Sequence, residues 1–290
     1  MRAFPSLRVA ACMALAFTAS LGQEWDPAKE ARGWARFDRD GSCVFFHSAG
    51  RRLVTWSRDL PLPPVDLSRL DGAPEFWTLD SLGNAWVVSG NLLQYVEKNG
   101  RLGPRVRLPG SVSDLTWDVR GFVLSYRAPE PYVEKREYKG GGLLWSWGTR
   151  PEGRDGGPAL HRIELADNGD VLVTRGSSMT VDIVDGAKGR PSLQTAFSWK
   201  GAVAPDLNLT GDRAPLASWL GKNVIFSAVP GRQAPHAGMN GMLLARLDLG
   251  SRSLQFLPTG LGEDFSFVGI FEDQAVFLSP QGGLAFAAIQ

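Results

Sequence analysis

Short apolar segments recur along the chain in pairs. Three of the pairs are joined by a turn of the form Asp-x-x-Gly plus one residue, and three later pairs are joined by looser versions of this turn, the last of them without the glycine. An Asp at the first position can accept hydrogen bonds from backbone N–H groups two or three residues later, and the Gly can adopt a left-handed conformation. The flanking Val, Phe, Trp, Ile and Leu residues suit buried strands. The pattern therefore predicts a series of tight β-hairpins. The glycines of the copies, with the residue that replaces glycine in the sixth, are Gly41, Gly83, Gly121, Gly169, Gly221 and Asp273.

The spacing of these turns indicates how the hairpins are organised. Successive copies are separated by 42, 38, 48, 52 and 52 residues. Repeats of this length, with one four-stranded sheet each, are typical of propeller blades. The sequence predicts an all-β fold, a six-bladed β-propeller of four-stranded antiparallel blades.

The second unit shows the predicted blade most clearly, with strands at 75–79, 85–89, 92–97 and 105–108. Third strands are expected elsewhere at 52–56, 142–147, 180–184, 242–247 and 284–289. No apolar pattern of helical period extends beyond two turns after the N-terminal segment.

The sixth unit ends before a fourth strand can form, while residues 23–32 precede the first blade without a partner. We predict that residues 23–32 pair with the outer edge of the sixth blade and close the ring, which also protects an open sheet edge.

The Asp-x-x-Gly-x-apolar repeats resemble those of NHL-type and related six-bladed propellers, such as the TolB-like group. The resemblance covers most of residues 23–290. It rests on a hairpin motif, so it implies a fold and hardly an activity. The Gly-His and Trp-Asp signature of WD40 repeats is absent, and so is the metal-ligand pattern of gluconolactonase-like propeller enzymes.

The N-terminal segment has the features of a secretory signal peptide. Arg2 and Arg8 supply positive charge, an apolar run follows at 9–21, and Ser20 and Gly22 place small residues at a cleavage site. We expect residues 1–22 to be removed, leaving one exported domain at 23–290, in the periplasm or outside the cell. A lipid anchor at Cys12 is the less favoured alternative, because hardly any apolar region precedes it. The apolar run is too short for an integral membrane segment.

Charge and cysteine content narrow the classes of partner. After removal of residues 1–22 the chain has 29 basic and 30 acidic residues, a net charge of −1. This balance gives no general field that would attract nucleic acid or an anionic membrane. The remaining cysteine, Cys43, opens an apolar run and is interpreted as a small buried hydrophobe.

Propeller geometry predicts which face carries a site. The turns between second and third strands share one face with the links that lead from each fourth strand to the next blade. We call this the loop-bearing face. The Asp-x-x-Gly turns lie on the opposite face, and plain turn chemistry is favoured there over a calcium loop at 38–42.

Long connections are predicted on the loop-bearing face at 127–141, 230–241, 60–74, 149–159 and 201–215. Loops of this length are often functional, and neutral insertion is the alternative. Candidate residues for contact with a ligand or partner are Arg127, Trp145, Trp147, His161, Arg232 and His236.

Candidate reactive groups are few. His47, His161 and His236 are predicted toward the same face, but no pair has the spacing of metal ligands, so three unrelated histidines are favoured over a metal site. No Gly-x-Ser-x-Gly elbow occurs, and we predict no catalytic residue, metal or cofactor.

Most of the ten tryptophans occupy repeating strand positions, which favours packing between blades over carbohydrate stacking. Trp145 and Trp147 are the best candidates for exposed aromatics.

Two hypotheses about function follow. The first is an exported, non-catalytic binding or scaffold module whose loop-bearing face contacts a protein, peptide or glycan. The alternative is a metal-dependent enzyme of lactonase or lyase type with its site at the mouth of the central channel.

Overall fold

The computed structural model describes residues 35–36, 42–48, 50–57, 62–151, 161–166, 168–175, 180–196, 217–220, 223–228, 243–248, 250–251, 253–262, 264–271, 273–279 and 284–289. Regular structure in these ranges consists of 22 β-strands in six antiparallel sheets, without a helix. Accordingly, none of the described segments is a helix long and apolar enough to cross a membrane.

The sheets follow one another in chain order, and we number them 1 to 6. Sheet 1 contains β1 (Ser42–His47), β2 (Arg52–Ser57) and β3 (Val65–Asp66). Sheet 2 contains β4 (Phe76–Leu79), β5 (Ala85–Ser89), β6 (Leu92–Val96) and β7 (Leu102–Arg107). Sheet 3 contains β8 (Val112–Asp118), β9 (Gly121–Tyr126), β10 (Tyr132–Glu137) and β11 (Leu143–Gly148).

The remaining sheets have the same organisation. Sheet 4 contains β12 (His161–Leu165), β13 (Val171–Arg175), β14 (Thr180–Val184) and β15 (Pro191–Ala196). Sheet 5 contains β16 (Ala217–Leu220), β17 (Asn223–Ala228), β18 (Leu243–Asp248) and β19 (Ser253–Pro258). Sheet 6 contains β20 (Ser266–Phe271), β21 (Gln274–Leu278) and β22 (Leu284–Ala288).

Each sheet is a meander in which every strand pairs with the next one along the chain. The first strands of sheets 2 to 6 lie side by side, with β4 beside β8, β8 beside β12, β12 beside β16, and β16 beside β20. One end of each of these five sheets therefore faces the same inner region, and their later strands extend outward from it.

Sheet 1 also packs against sheet 6, at the other end of the chain. Cys43 and Phe45 of β1 share a buried cluster with Val268 of β20 and Val276 of β21, and Ala35 packs against it. Cys43 is 1% exposed, which confirms its interpretation as a small buried hydrophobe.

The hairpin at Asp80 has the predicted turn chemistry. The Asp80 Oδ1 accepts hydrogen bonds from the backbone N–H groups of Leu82 and Asn84, both at 2.9 Å. Gly83 has a φ of +78°, a conformation that favours glycine. In the sixth copy Asp273 takes this role with a φ of 60°, which explains how the turn survives without its glycine.

The glycine of the hairpin at Asp118 has a different role. The Asp118 Oδ1 again accepts two backbone hydrogen bonds, from Arg120 at 2.7 Å and Gly121 at 3.0 Å. However, a Cβ at Gly121 would lie 2.1 Å from the carbonyl oxygen of Arg136 on β10. This glycine is therefore required by the close approach of β10 rather than by a left-handed turn.

The strand prediction is confirmed at several places and wrong in sheet 3. Strands β5 and β14 have the predicted bounds, 85–89 and 180–184. The predicted loop at 127–141 instead contains β10, so the segment predicted as a third strand at 142–147 belongs to the fourth strand, β11. Likewise, the predicted link at 60–74 contains β3, which pairs with β2.

The physical reason for the error in sheet 3 is that β10 carries charged residues in a buried strand. Glu134, Lys135 and Arg136 are all at most 7% exposed. The Glu134 carboxylate accepts hydrogen bonds from Tyr126 Oη at 2.6 Å and from Arg136 Nη2 at 2.7 Å. Lys135 Nζ pairs with the Asp118 carboxylate at 2.8 Å. Paired in this way, charges that are typical of a loop become compatible with a sheet interior.

The tryptophans with described side chains pack between neighbouring sheets. Trp77 Nε1 of sheet 2 donates to the carbonyl oxygen of Val44 in sheet 1 at 2.8 Å. Trp86 Nε1 of sheet 2 donates to the carbonyl oxygen of Tyr138, next to β10, at 3.0 Å. Both indoles are at most 1% exposed, which confirms for them the predicted packing between blades.

Candidate functional site

The candidate site lies at the inner strands of sheets 3 and 4, where β8 and β12 run side by side. The sequence of β12 alternates, with Ile163 and Leu165 buried against Val123 and Val133 of sheet 3. The intervening residues, Arg162 and Glu164, are only partly buried. In β8 the charged residue Asp114 is buried, together with the polar residues Ser113 and Thr116. The inner region of the fold is therefore lined by charged side chains from two sheets.

Asp114 joins the two sheets and is fully buried. Its Oδ1 accepts a hydrogen bond from the backbone N–H of Leu115 at 2.9 Å, and its Oδ2 accepts one from Ile163 in β12 at 3.0 Å. Two guanidinium groups also approach it, Arg162 at 3.4 Å and Arg36 at 3.6 Å. The bond from Ile163 satisfies a backbone N–H group at the inner edge of β12, where no neighbouring strand pairs with it.

Arg36 precedes sheet 1 in the chain, but its side chain ends between sheets 3 and 4. Its Nη1 donates to the carbonyl oxygen of Leu115 at 2.8 Å, and its Nη2 donates to that of Ile163 at 2.5 Å. The same Nη2 pairs with the Glu164 carboxylate at 2.9 Å. Only 4% of Arg36 is exposed, and its guanidinium binds the inner edges of two sheets.

A second group of polar contacts lies beside this cluster and links β8 and β9 to β12. The Oγ atoms of Ser113 and Ser125 both donate to the carbonyl oxygen of His161, at 2.8 and 3.0 Å. His161 Nε2 lies 2.8 Å from the carbonyl oxygen of Ala128. His161 begins β12 and is 1% exposed.

The electrostatics of the cluster follow from burial and pairing. Burial lowers the pKa of the Arg162 guanidinium, and the positive charges of Arg36 and Arg127 lower it further, while Asp114 opposes the shift. Arg36 and Arg162 thus face Asp114 and Glu164 as two cations against two carboxylates. In the part of the chain that the structure describes, no group of three His, Cys, Asp or Glu side chains could hold a metal ion.

The predicted contact residues are distributed as follows. Arg127 is exposed directly after β9, and its backbone N–H donates to Ser111 at 2.9 Å. Arg232 and His236 lie outside the described residues. His47 ends β1, and its Nδ1 accepts a hydrogen bond from Gly50 at 3.0 Å. The structure thus brings Arg127 and His161 to the same part of sheets 3 and 4, and their role in binding stays a prediction.

The pair Trp145 and Trp147 differs from the expected exposed aromatics. Both lie in the outermost strand of sheet 3, are half-buried, and pack against the apolar cluster between sheets 3 and 4. Trp145 Nε1 donates to the carbonyl oxygen of Gly186 in sheet 4 at 2.9 Å. The expectation of an exposed aromatic pair is therefore corrected, because both indoles contribute to packing between sheets.

Sequence reasoning missed the residues of the inner cluster, Arg36, Asp114, Arg162 and Glu164. One local signal was present, since an aspartate in the middle of a strand, such as Asp114 in β8, requires a partner when it is buried. Its partners could not be identified, because Arg36 and Ile163 are distant in the chain.

Comparisons with known proteins place the fold. No protein-family model matches the chain, and no curated protein sequence matches it. Several solved structures do match the chain. Virginiamycin B lyase from Staphylococcus aureus superposes with a TM-score of 0.55 at 14% identity, over 88% of this chain and 80% of that one. A candidate exported protein from Bacteroides fragilis superposes with a TM-score of 0.54 at 11% identity, over 89% and 90%. The Pan2 WD40 domain of Neurospora crassa superposes with a TM-score of 0.50 at 10% identity, over 91% and 82%.

Identities this low establish the fold alone. Together with sequential antiparallel sheets whose first strands meet in one inner region, these similarities show that the chain has a β-propeller fold.

Proposed function

We propose that this chain is an exported, six-bladed β-propeller that acts as a binding or scaffold module. Its loop-bearing face contacts a protein, peptide or glycan. The inner cluster around Arg36 favours a binding module over an enzyme with its site in the channel. The Arg36 guanidinium donates to carbonyl groups at the inner edges of two sheets and pairs with Glu164, so it serves cohesion of the propeller.

The number of blades and the closure of the ring belong to the proposal. Each of the six sheets is one blade, and the cluster shared by β1 and β20 supports a ring in which the first blade adjoins the last. Ala35 and Arg36 stand where the inner strand of the first blade is expected. The outer strand of sheet 2, β7, leads directly into β8, the inner strand of sheet 3. Residues 23–32 therefore supply the outer strand of the sixth blade.

Export is the remaining part of the proposal. The charged start and the apolar run of residues 1–22 support a cleaved signal peptide. The mature protein then begins near residue 23, so the closing strand is its first segment.

The proposed binding face can be tested by blocking it. Pro129 is exposed in the turn between β9 and β10 on the loop-bearing face, and Val119 is 96% exposed in a turn on the opposite face. A Pro129→Cys variant and a Val119→Cys control would each be modified with a large polyethylene glycol maleimide. Cys43 is buried, so labelling is directed to the introduced thiol.

The modified proteins would then be used to recover partners from the cell envelope by cross-linking. We expect the adduct at position 129 to abolish recovery of a partner that the adduct at position 119 leaves bound. Loss of the partner only with the adduct at position 119 would show that the opposite face binds. Absence of any partner for the unmodified protein would contradict the proposal.

The enzymatic alternative makes a separate prediction. A metal-dependent lactonase or lyase would retain a stoichiometric divalent ion after purification. Elemental analysis of the purified protein, before and after chelation, distinguishes it from the binding module.

A further inference from the structure

We propose that the ligand of the loop-bearing face is an acidic peptide segment, whose carboxylate is bound by Arg127 and Arg162. This inference rests on the proposed function and deepens it by naming the chemistry of the ligand. It concerns the place where β8 begins and β9 ends.

The two arginines are held at the same short segment, which leads into β8. The backbone N–H of Arg127 donates to the carbonyl oxygen of Ser111 at 2.9 Å. The guanidinium of Arg162 reaches the carbonyl oxygen of Ser113, two residues further, at 3.4 Å. Because Ser111 and Ser113 are two residues apart, both arginines lie at the same opening of the inner region, which we call the mouth.

Among the described residues at this mouth, positive charge exceeds negative charge. The carboxylates of Asp114 and Glu164 are already approached by Arg36 and Arg162. Arg127 is exposed, and its side chain forms no hydrogen bond or ion pair with any residue that the structure describes. An anion at the mouth would therefore meet a guanidinium that the described part of the protein leaves unneutralised.

Two further charged residues lie on the same face, and they change the balance of charge at the mouth without reversing it. Arg150 is exposed shortly after β11, close enough to Tyr132 to lower the pKa of its hydroxyl, although burial raises that pKa overall. Glu130 is exposed in the turn after Arg127 and offsets one positive charge. The pKa of the Arg162 guanidinium, lowered mainly by burial and also by Arg127, is consistent with a site whose cations repel one another.

The side chains at the mouth suit a carboxylate. A guanidinium presents parallel N–H donors that match the two oxygens of a carboxylate, and such charge-assisted bonds are among the strongest in proteins. A carboxylate placed between Arg127 and Arg162 would reduce the repulsion between them.

A peptide is favoured over a glycan by the position of the tryptophans. Glycan sites commonly offer an exposed aromatic face for stacking on a sugar ring. Among the tryptophans whose side chains the structure describes, every indole is at least half-buried and packed within an apolar cluster, as for Trp117 in sheet 3 and Trp145 beside sheet 4. The described part of the loop-bearing face therefore offers charge and hydrogen bonds without a stacking platform.

The test compares poly-L-glutamate with polygalacturonate as probes, with inorganic sulfate as a third arm. Binding to the purified protein would be measured by calorimetry at two salt concentrations. An Arg127→Gln variant removes the exposed cation. An Arg120→Gln variant makes the same change in an exposed turn on the opposite face and serves as the matched control.

We expect poly-L-glutamate to bind the unaltered protein, and R127Q to weaken that binding about tenfold, as expected for the loss of one charge-assisted hydrogen bond. R120Q should change it less than twofold. Equal weakening by R127Q and R120Q, no binding of poly-L-glutamate, or tighter binding of polygalacturonate or sulfate would overturn the inference. A partner whose recovery depends on position 129 but not on Arg127 would overturn it while leaving the proposed binding face intact.

Discussion

The Nη1 of Arg36 donates a hydrogen bond of 2.8 Å to the carbonyl oxygen of Leu115, although 79 residues separate them in the chain. The contact joins the start of the domain to the inner edge of sheet 3. Because the same side chain also bonds Ile163 in sheet 4, one arginine connects three distant parts of the fold.

Removal of this guanidinium should destabilise the whole domain. An Arg36→Met variant leaves Glu164 without its cation and Asp114 with Arg162 alone. Breaking a buried ion pair in this way costs about 3–5 kcal/mol. Urea denaturation followed by tryptophan fluorescence measures the change in free energy of unfolding. The control is Arg101→Ala, which removes a surface pair with Glu97 and should leave the urea midpoint unchanged. An unaltered midpoint for R36M would show that the cluster does not hold the sheets together.

The charged pair in β10 should show strong coupling. Arg136→Met alone leaves the buried Glu134 carboxylate without its cation, whereas adding Glu134→Gln removes that charge while keeping an acceptor for Tyr126. We expect the double variant to recover part of the stability lost in R136M, with a coupling energy of about 0.5–3 kcal/mol. A thermodynamic cycle from urea denaturation gives this value. Strict additivity would mean that the two residues do not act as a pair.

Alkaline pH should weaken the fold through its tyrosines. Burial, followed by the hydrogen bond to Asp80, raises the pKa of Tyr95 to about 12. Burial and the negative charge of Glu134 raise the pKa of Tyr126 well above its usual value. A folded pKa above the unfolded value of about 10 means that stability is fully present below pH ~10 and falls as the pH rises toward 12.

The measurement for the tyrosines is the free energy of unfolding as a function of pH, with tyrosinate absorbance recorded in parallel. Tyr95→Phe should have a shallower decline between pH ~10 and ~12 than the unaltered protein. Identical alkaline profiles for the two proteins would contradict the assignment to Tyr95.

The two turn glycines should respond differently to alanine. At Gly83 a methyl group would meet open space, so the cost comes from its φ of +78° and should be about 1–2 kcal/mol. At Gly121 the methyl group would lie 2.1 Å from the Arg136 carbonyl oxygen, so β10 has to move. Thermal denaturation should therefore show a clearly larger loss for G121A than for G83A, and the reverse order would refute this distinction.

The comparison of sequence with structure shows which features are local. The hairpin at Asp80 and the strand bounds of β5 and β14 were predictable, because turn chemistry and apolar runs are read from neighbouring residues. Strand β10 was missed, because charges become compatible with burial only through partners such as Tyr126 on another strand. The inner cluster was missed for a similar reason, since the partners of Arg36 come from segments that meet only after folding.

Ring closure by residues 23–32 is the central structural claim, and hydrogen exchange at β22 tests it most directly. Amide exchange measured by mass spectrometry would compare the mature protein with a chain that begins at residue 33. If residues 23–32 form the outer strand of the sixth blade, their removal should increase exchange at 284–289 and leave 92–96 of β6 unchanged. Equal exchange at 284–289 in both proteins would contradict the closed six-bladed propeller.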